Sequence, residues 1–144
     1  MTVLLIALAL LALAPGISHQ LTLSWSRNGD AITKVVTVDA NGETNRDVTV
    51  PANTTDMRVD IDLDADKIQS IYILSDLAVT IETNSGTVPG NTLTIAAGKP
   101  YVWYLGCGLV NPITVDVSSS IYLTNASSTT AANVQIRILE DVTS

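Results

Sequence analysis

Asp56, Asp60, Asp62, Asp64 and Asp66 crowd five carboxylates into one short stretch, the raw material for holding a hard cation such as calcium. Their spacing argues against it. Acids at alternate positions of a strand leave one face about 6.6 Å apart, too far for neighbours to converge on one ion unless the chain turns. The run Asp60-Ile61-Asp62-Leu63-Asp64-Ala65-Asp66 also has no glycine at its sixth position and no glutamate at its twelfth, as an EF-hand loop requires. The acids therefore read as a solvated or partner-facing face, with no metal assigned. If Asp64 and Asp66 fall in the turn before Ile68, they can cap it through side-chain to backbone hydrogen bonds.

Paired-carboxylate hydrolysis needs one acid held protonated in a pocket. Glu82 and Glu140 sit on strand patterns and Asp76 and Asp116 at turns, with nothing to single any of them out. Nucleophilic catalysis by Ser or Cys would have only His19 as an imidazole base, and His19 lies near the start of the chain, where an unstructured end is expected. Cys107 stands alone among Leu105, Gly106, Gly108 and Leu109, without the partners of a zinc site or a basic neighbour to activate its thiol. Gly86, Gly90, Gly98, Gly106 and Gly108 fall between strands and form no phosphate-binding loop. No catalytic, cofactor or metal residue is assigned, and the expectation is a protein that is not an enzyme.

Tyr101-Val102-Trp103-Tyr104 holds half of the aromatic residues and would suit sugar stacking or a protein interface if exposed. A central strand with both faces covered is the favoured reading. The triplets beginning at Asn53 and Asn125 match glycosylation sequons, as chance allows in a chain rich in Thr, Ser and Asn.

The elements that must position these residues come from a chain of 144 residues, enough for one domain. Seven Lys and Arg against fourteen Asp and Glu give a net charge of −7, which disfavours unassisted binding to nucleic acid or to an anionic membrane. With 47% apolar and 15% charged residues, the chain can build a substantial core. A single cysteine excludes an internal disulfide, so stability has to come from packing.

Residues 3–14 form an unbroken apolar run, shorter than the roughly 20 residues of a membrane-spanning helix. The run suits the core of a secretory signal, with Gly16-Ile17-Ser18 or Ala12-Leu13-Ala14 as cleavage sites, although no Lys or Arg precedes it and Pro15 follows the second site. The alternative is an arm that stays on and buries its leucines against a partner. The expected division is an apolar segment, 1–18, signal-like or retained, followed by a single β-sandwich domain, 19–144.

From Gln20 onward, short β-rich runs alternate with turn residues. Leu21, Leu23 and Trp25 share a face, and Asn28-Gly29 then gives the strongest short hairpin signal before a return strand at 32–38. Asn41-Gly42 marks a second turn before 46–50. Met57, Val59, Ile61 and Leu63 alternate with Arg58, Asp60, Asp62 and Asp64, placing the apolar set inward. Further strands are expected at 68–74 (central), 78–83, 92–95, 101–105, 113–117, 121–125 and 133–139. About eleven strands with no helical periodicity predict an all-β, antiparallel two-sheet sandwich of jelly-roll type.

Several segments carry a family likeness: Leu21-Thr22-Leu23-Ser24-Trp25-Ser26-Arg27-Asn28-Gly29, Ile71-Tyr72-Ile73-Leu74-Ser75-Asp76, Val79-Thr80-Ile81-Glu82-Thr83-Asn84-Ser85, Tyr101-Val102-Trp103-Tyr104, Gly108-Leu109-Val110-Asn111-Pro112 and Ile121-Tyr122-Leu123-Thr124-Asn125-Ala126. Together they resemble the small β-sandwich decoration or cement proteins on the heads of tailed bacteriophages. The resemblance implies a virion protein without cofactor that sits on the capsid surface and clamps subunits of the major capsid protein, as a homo-oligomer on the shell. The irregular loops at 83–91 and 106–112 are the expected contact elements, with Asn84, Val88, Pro89, Gly90, Gly108, Asn111 and Pro112 as candidate contact residues. The apolar start departs from that pattern. The rival expectation is a secreted or periplasmic β-sandwich that binds carbohydrate or protein through an exposed Trp103, with no membrane contact once a signal is removed.

Overall fold

The computed structural model describes residues 16–142. Much of the expected N-terminal segment, 1–15, and the last two residues lie outside that range. Ten strands succeed one another within it: β1 (Ile17–Arg27), β2 (Asp30–Ala40), β3 (Gly42–Val50), β4 (Thr54–Asp60), β5 (Ile68–Ser75), β6 (Val79–Thr83), β7 (Thr92–Ile95), β8 (Tyr101–Tyr104), β9 (Ser120–Asn125) and β10 (Ala132–Glu140). A 3-10 turn at Ala65–Lys67 precedes β5, and the Asp64 carboxylate caps it by accepting from the Asp66 backbone N–H at 3.1 Å.

Strands β3 to β10 build the sandwich. One sheet runs β3-β10-β5-β8 and the other β4-β9-β6-β7, every pairing antiparallel. These interleaved orders, with the chain crossing between the sheets at every connection except β6–β7, are those of an eight-stranded jelly roll. Alternation fills the space between the sheets: Ile71 and Ile73 of β5, Val134, Ile136 and Ile138 of β10, Ile81 of β6 and Leu123 of β9 are all buried in one cluster. Each such aliphatic side chain contributes roughly 1.5–3 kcal/mol by leaving water.

The expected strand at 68–74 is central, between β10 and β8. Two other expectations are corrected. β8 is an edge strand rather than a central one, and only Trp103 of its aromatics is fully buried. The segment 113–117 forms no strand, because the N–H groups of Thr114 and Val115 are captured by the Asn91 side chain and that of Ile113 by Asn111; a lone bridge joins Val117 to Leu63. The first hairpin does not join the sandwich. Strands β1 and β2 form their own two-stranded sheet around a turn in which Asn28 (φ 50°) and Gly29 (φ 93°) both take left-handed conformations, as a type I′ turn demands. Among the described residues, the first strand starts at Ile17.

This hairpin is an arm with two different faces. Paired residues Leu21 and Val36, Leu23 and Lys34, and Trp25 and Ile32 share one face, while Gln20 and Thr37, Thr22 and Val35, and Ser24 and Thr33 share the other. Among the described residues, Leu23, Trp25 and Ile32 toward the tip of the apolar face are exposed, while that face is covered at its base. There Val38 is buried, and His19 reaches the outer surface of the β3-β10-β5-β8 sheet beside Ser70 and the buried Leu139.

Candidate interaction site

The β4–β5, β6–β7 and β8–β9 connections meet at one end of the sandwich, and asparagines lock them together. Asn84, in a left-handed conformation (φ 67°), donates from Nδ2 to the Asp116 carbonyl at 2.8 Å and accepts the Ser118 N–H on Oδ1 at 3.0 Å. Asn91 accepts the N–H groups of Thr114 and Val115, both at 3.2 Å, and donates to the Thr114 hydroxyl at 2.9 Å. Asn111 donates to the Ala65 carbonyl and accepts from Ile113 N–H, each at 3.0 Å. Asp116 accepts from the Ala65 N–H at 2.9 Å. Small polar side chains here replace the backbone ladder that such irregular segments lack.

The cross-bracing turns two long loops into one platform. Among the expected contact residues, Val88 is 80% exposed, and Gly90 and Gly108 (φ +84°) lie at the surface. Pro89 and Pro112 are half-buried, and the amides of Asn84 and Asn111 are spent inside the loops, where they hold the platform's shape. Leu109 and Val110 of the expected loop 106–112, and Leu105 and Val115 beside it, were not named as contact residues and are all exposed, with Val110 at 84%. The signal was present as bulky aliphatics among Gly, Asn and Pro at 105–115. Exposed aliphatics carried on hydrogen-bonded loops suit a protein-binding surface.

Acidic groups flank the same end. Burial pushes the Glu140 carboxyl above the ordinary range, and the nearby charges of Asp64 and Asp62 add to this, while the Asp64 N–H it accepts at 3.1 Å pulls the other way. Asp60 pairs with Arg58 at 2.9 Å. Among the described residues, no three His, Cys, Asp or Glu side chains are grouped so that they could hold a metal ion. Desolvation, followed by the charge of Asp56 and a hydrogen bond to it, likewise raises the Glu82 carboxyl.

His19 is ordered, contrary to the expectation of an unstructured end. Its Nδ1 lies 3.1 Å from Ser70 Oγ and its Nε2 3.0 Å from Glu43 Oε1. The line of serine, imidazole and carboxylate has the outline of a nucleophilic relay. Its setting serves a different end: Ser70 is buried in mid-sheet, and β5 is laddered to β10 on one side and β8 on the other, so flanking N–H groups are committed to strands rather than aimed at an oxyanion. The line pins the arm to the sandwich.

Trp103 is 5% exposed and donates from Nε1 to the Leu109 carbonyl at 3.0 Å, which removes it as a sugar-stacking surface. Its bond shapes the platform from beneath. The exposed tryptophan is Trp25, on the arm. Cys107 is half-buried against the core. Asn125, the second sequon asparagine, is fully buried and closed to modification in the folded chain. Among the described residues, no helix is long and apolar enough to cross a membrane. Comparison with known proteins finds no family model, no curated protein and no solved structure that matches the chain.

Proposed function

We propose that the chain is a non-enzymatic virion structural protein that decorates the outside of a tailed-phage head, with the loop platform seated on the major capsid protein. The observation that carries this reading is the set of exposed aliphatic side chains, Val88, Leu109 and Val110, on the cross-braced β6–β7 and β8–β9 loops of a jelly roll. The segments quoted above add a resemblance to decoration proteins. A disulfide-free sandwich with braced loops and no recognisable reaction centre suits a protein whose work is to bury surface against another protein. Repetition over a shell sums many shallow contacts, so each platform needs only modest affinity.

Quantitative mass spectrometry of density-purified particles from the producing culture tests the reading. A copy number comparable with the major capsid protein, in particles that turn fragile when the chain is stripped, is the expected result. Absence from particles, with the chain recovered in the medium or periplasm, overturns it in favour of a secreted binding module.

A further inference from the structure

We infer that the arm is a self-association element: β1 of one copy pairs antiparallel with β1 of a second copy, about a two-fold axis at Leu23. This interface is separate from the loop platform and does not depend on what the platform binds.

Three observations converge on it. First, among the described residues β1 has a hydrogen-bonded neighbour, β2, on one side only. Two-stranded sheets are marginal in water, and a third and fourth strand with a shared apolar face make them stable. Second, the two free edges of the arm differ. β2 carries Asp30, Lys34 and Asp39 along its length, the charges with which proteins blunt an edge. β1 from Gln20 to Ser26 has no charged residue. Third, a cleft of about 620 Å³ runs along 18–23 of β1, between it and Tyr72, Pro100, Val102 and Arg137 of the sandwich. A strand added to β1 lies in that cleft.

The register follows from the side chains. With Leu23 at the axis, Leu21 opposes the partner's Trp25, Thr22 opposes the partner's Ser24 and His19 opposes the partner's Arg27. Opposed residues share a face, so the apolar faces of both arms merge, and a slip by one residue would mix apolar with polar. Trp25, 53% exposed in the single chain, enters the partner's cleft over Tyr72 and Val102. The partner's Arg27 arrives beside Glu43, which already contacts His19. The contact is isologous and closes as a dimer, each copy giving and receiving the same surface.

Sedimentation equilibrium of the full chain tests this through the polar face, where substitutions leave the arm's own packing intact. The wild type is expected to dimerise reversibly. Thr22→Lys with Ser24→Lys sets like charges directly opposite each other twice across the axis and should weaken dimerisation at least tenfold. Thr22→Glu with Ser24→Lys sets opposite charges at the same places and should dimerise as the wild type does. A wild type that stays monomeric at millimolar concentration overturns the proposal. So does a dimer that both double variants form equally well, since that association would run through another surface.

Discussion

The Asp56 carboxyl occupies the space a side chain at Gly86 would need: a Cβ there would lie 2.5 Å from Asp56 Oδ2 and 2.8 Å from Asp56 Cβ. Asp56 reaches this position from a bulge in β4, in a left-handed conformation (φ 54°), with its backbone N–H donating to Thr124 Oγ1 at 3.1 Å. A non-glycine residue at positive φ persists only where its surroundings hold it. The bulge thus grips the β6–β7 loop that carries Val88, and that loop's shape is set in part from β4, across β9 in the same sheet.

Gly86→Ala should therefore destabilise the fold by about 1–3 kcal/mol, the usual range for overpacking a filled site. Urea denaturation measures it. Because both the Cβ and the carboxyl of Asp56 stand in the way, simple rotation of that side chain does not make room. A variant as stable as the wild type would show that the loop is not gripped.

Asn125 holds the opposite end of the sandwich. Its Nδ2 lies 3.1 Å from the carbonyls of Val50 and Pro51 and 2.9 Å from that of Thr130, and its Oδ1 accepts the Ser127 N–H at 3.0 Å. Asn125→Ala leaves several of these groups without a partner, at roughly 1–3 kcal/mol each where water cannot replace it, so a loss of about 3 kcal/mol is expected. Asn125→Asp should be worse, because it also buries a charge against three carbonyls. Thermal unfolding of the two variants gives the order.

Stability should pass through a maximum at mildly acidic pH. The Glu140 and Glu82 carboxyls are raised in the folded chain, so the fold binds protons more tightly there, and their stabilisation is complete below the unfolded value near 4.5 and lost as pH rises through the folded values. Asp76 works in the other direction. The Asn133 backbone N–H and then its side-chain amide, both at 2.7 Å, hold its carboxyl below 3.8, so its contribution is lost as pH falls through the lowered value. Glu140→Gln keeps an acceptor for the Asp64 N–H and should flatten the neutral side of the profile; Asp76→Asn should flatten the acid side. Denaturant midpoints from pH 3 to 8 test this, and superimposable profiles for wild type and Glu140→Gln would refute the assignment.

What the sequence revealed were features fixed by near neighbours. The Asn28-Gly29 turn, the alternation through Leu63 and the Asp64 cap each depend on conformations a few residues can set. Pairing across the molecule is not local, which is why 113–117 reads as a strand: Ile113, Val115 and Val117 alternate, but Asn91 and Asn84, far away in sequence, take the N–H groups of Thr114, Val115 and Ser118. Likewise, Leu23 and Trp25 alternate as any half-buried strand does, and alternation marks an apolar face without saying what covers it. His19 was misplaced for the same reason, since Ser70 and Glu43 anchor it from distant parts of the chain.

The platform reading separates binding from folding. Val88 and Val110 are 80% and 84% exposed, so Val88→Asp with Val110→Asp should change stability by no more than about 0.5 kcal/mol per site. If the two anchor the platform as interface hot spots worth about 2 kcal/mol together, affinity for stripped particles should fall about thirtyfold. Leu123→Ala in the core gives the converse: its fully buried side chain makes a loss of about 2–5 kcal/mol the expectation, while the molecules that remain folded still bind. Titration of stripped particles with each purified variant reads the affinity, and thermal melts read the stability. A platform variant that binds as tightly as the wild type would move the contact surface away from these loops.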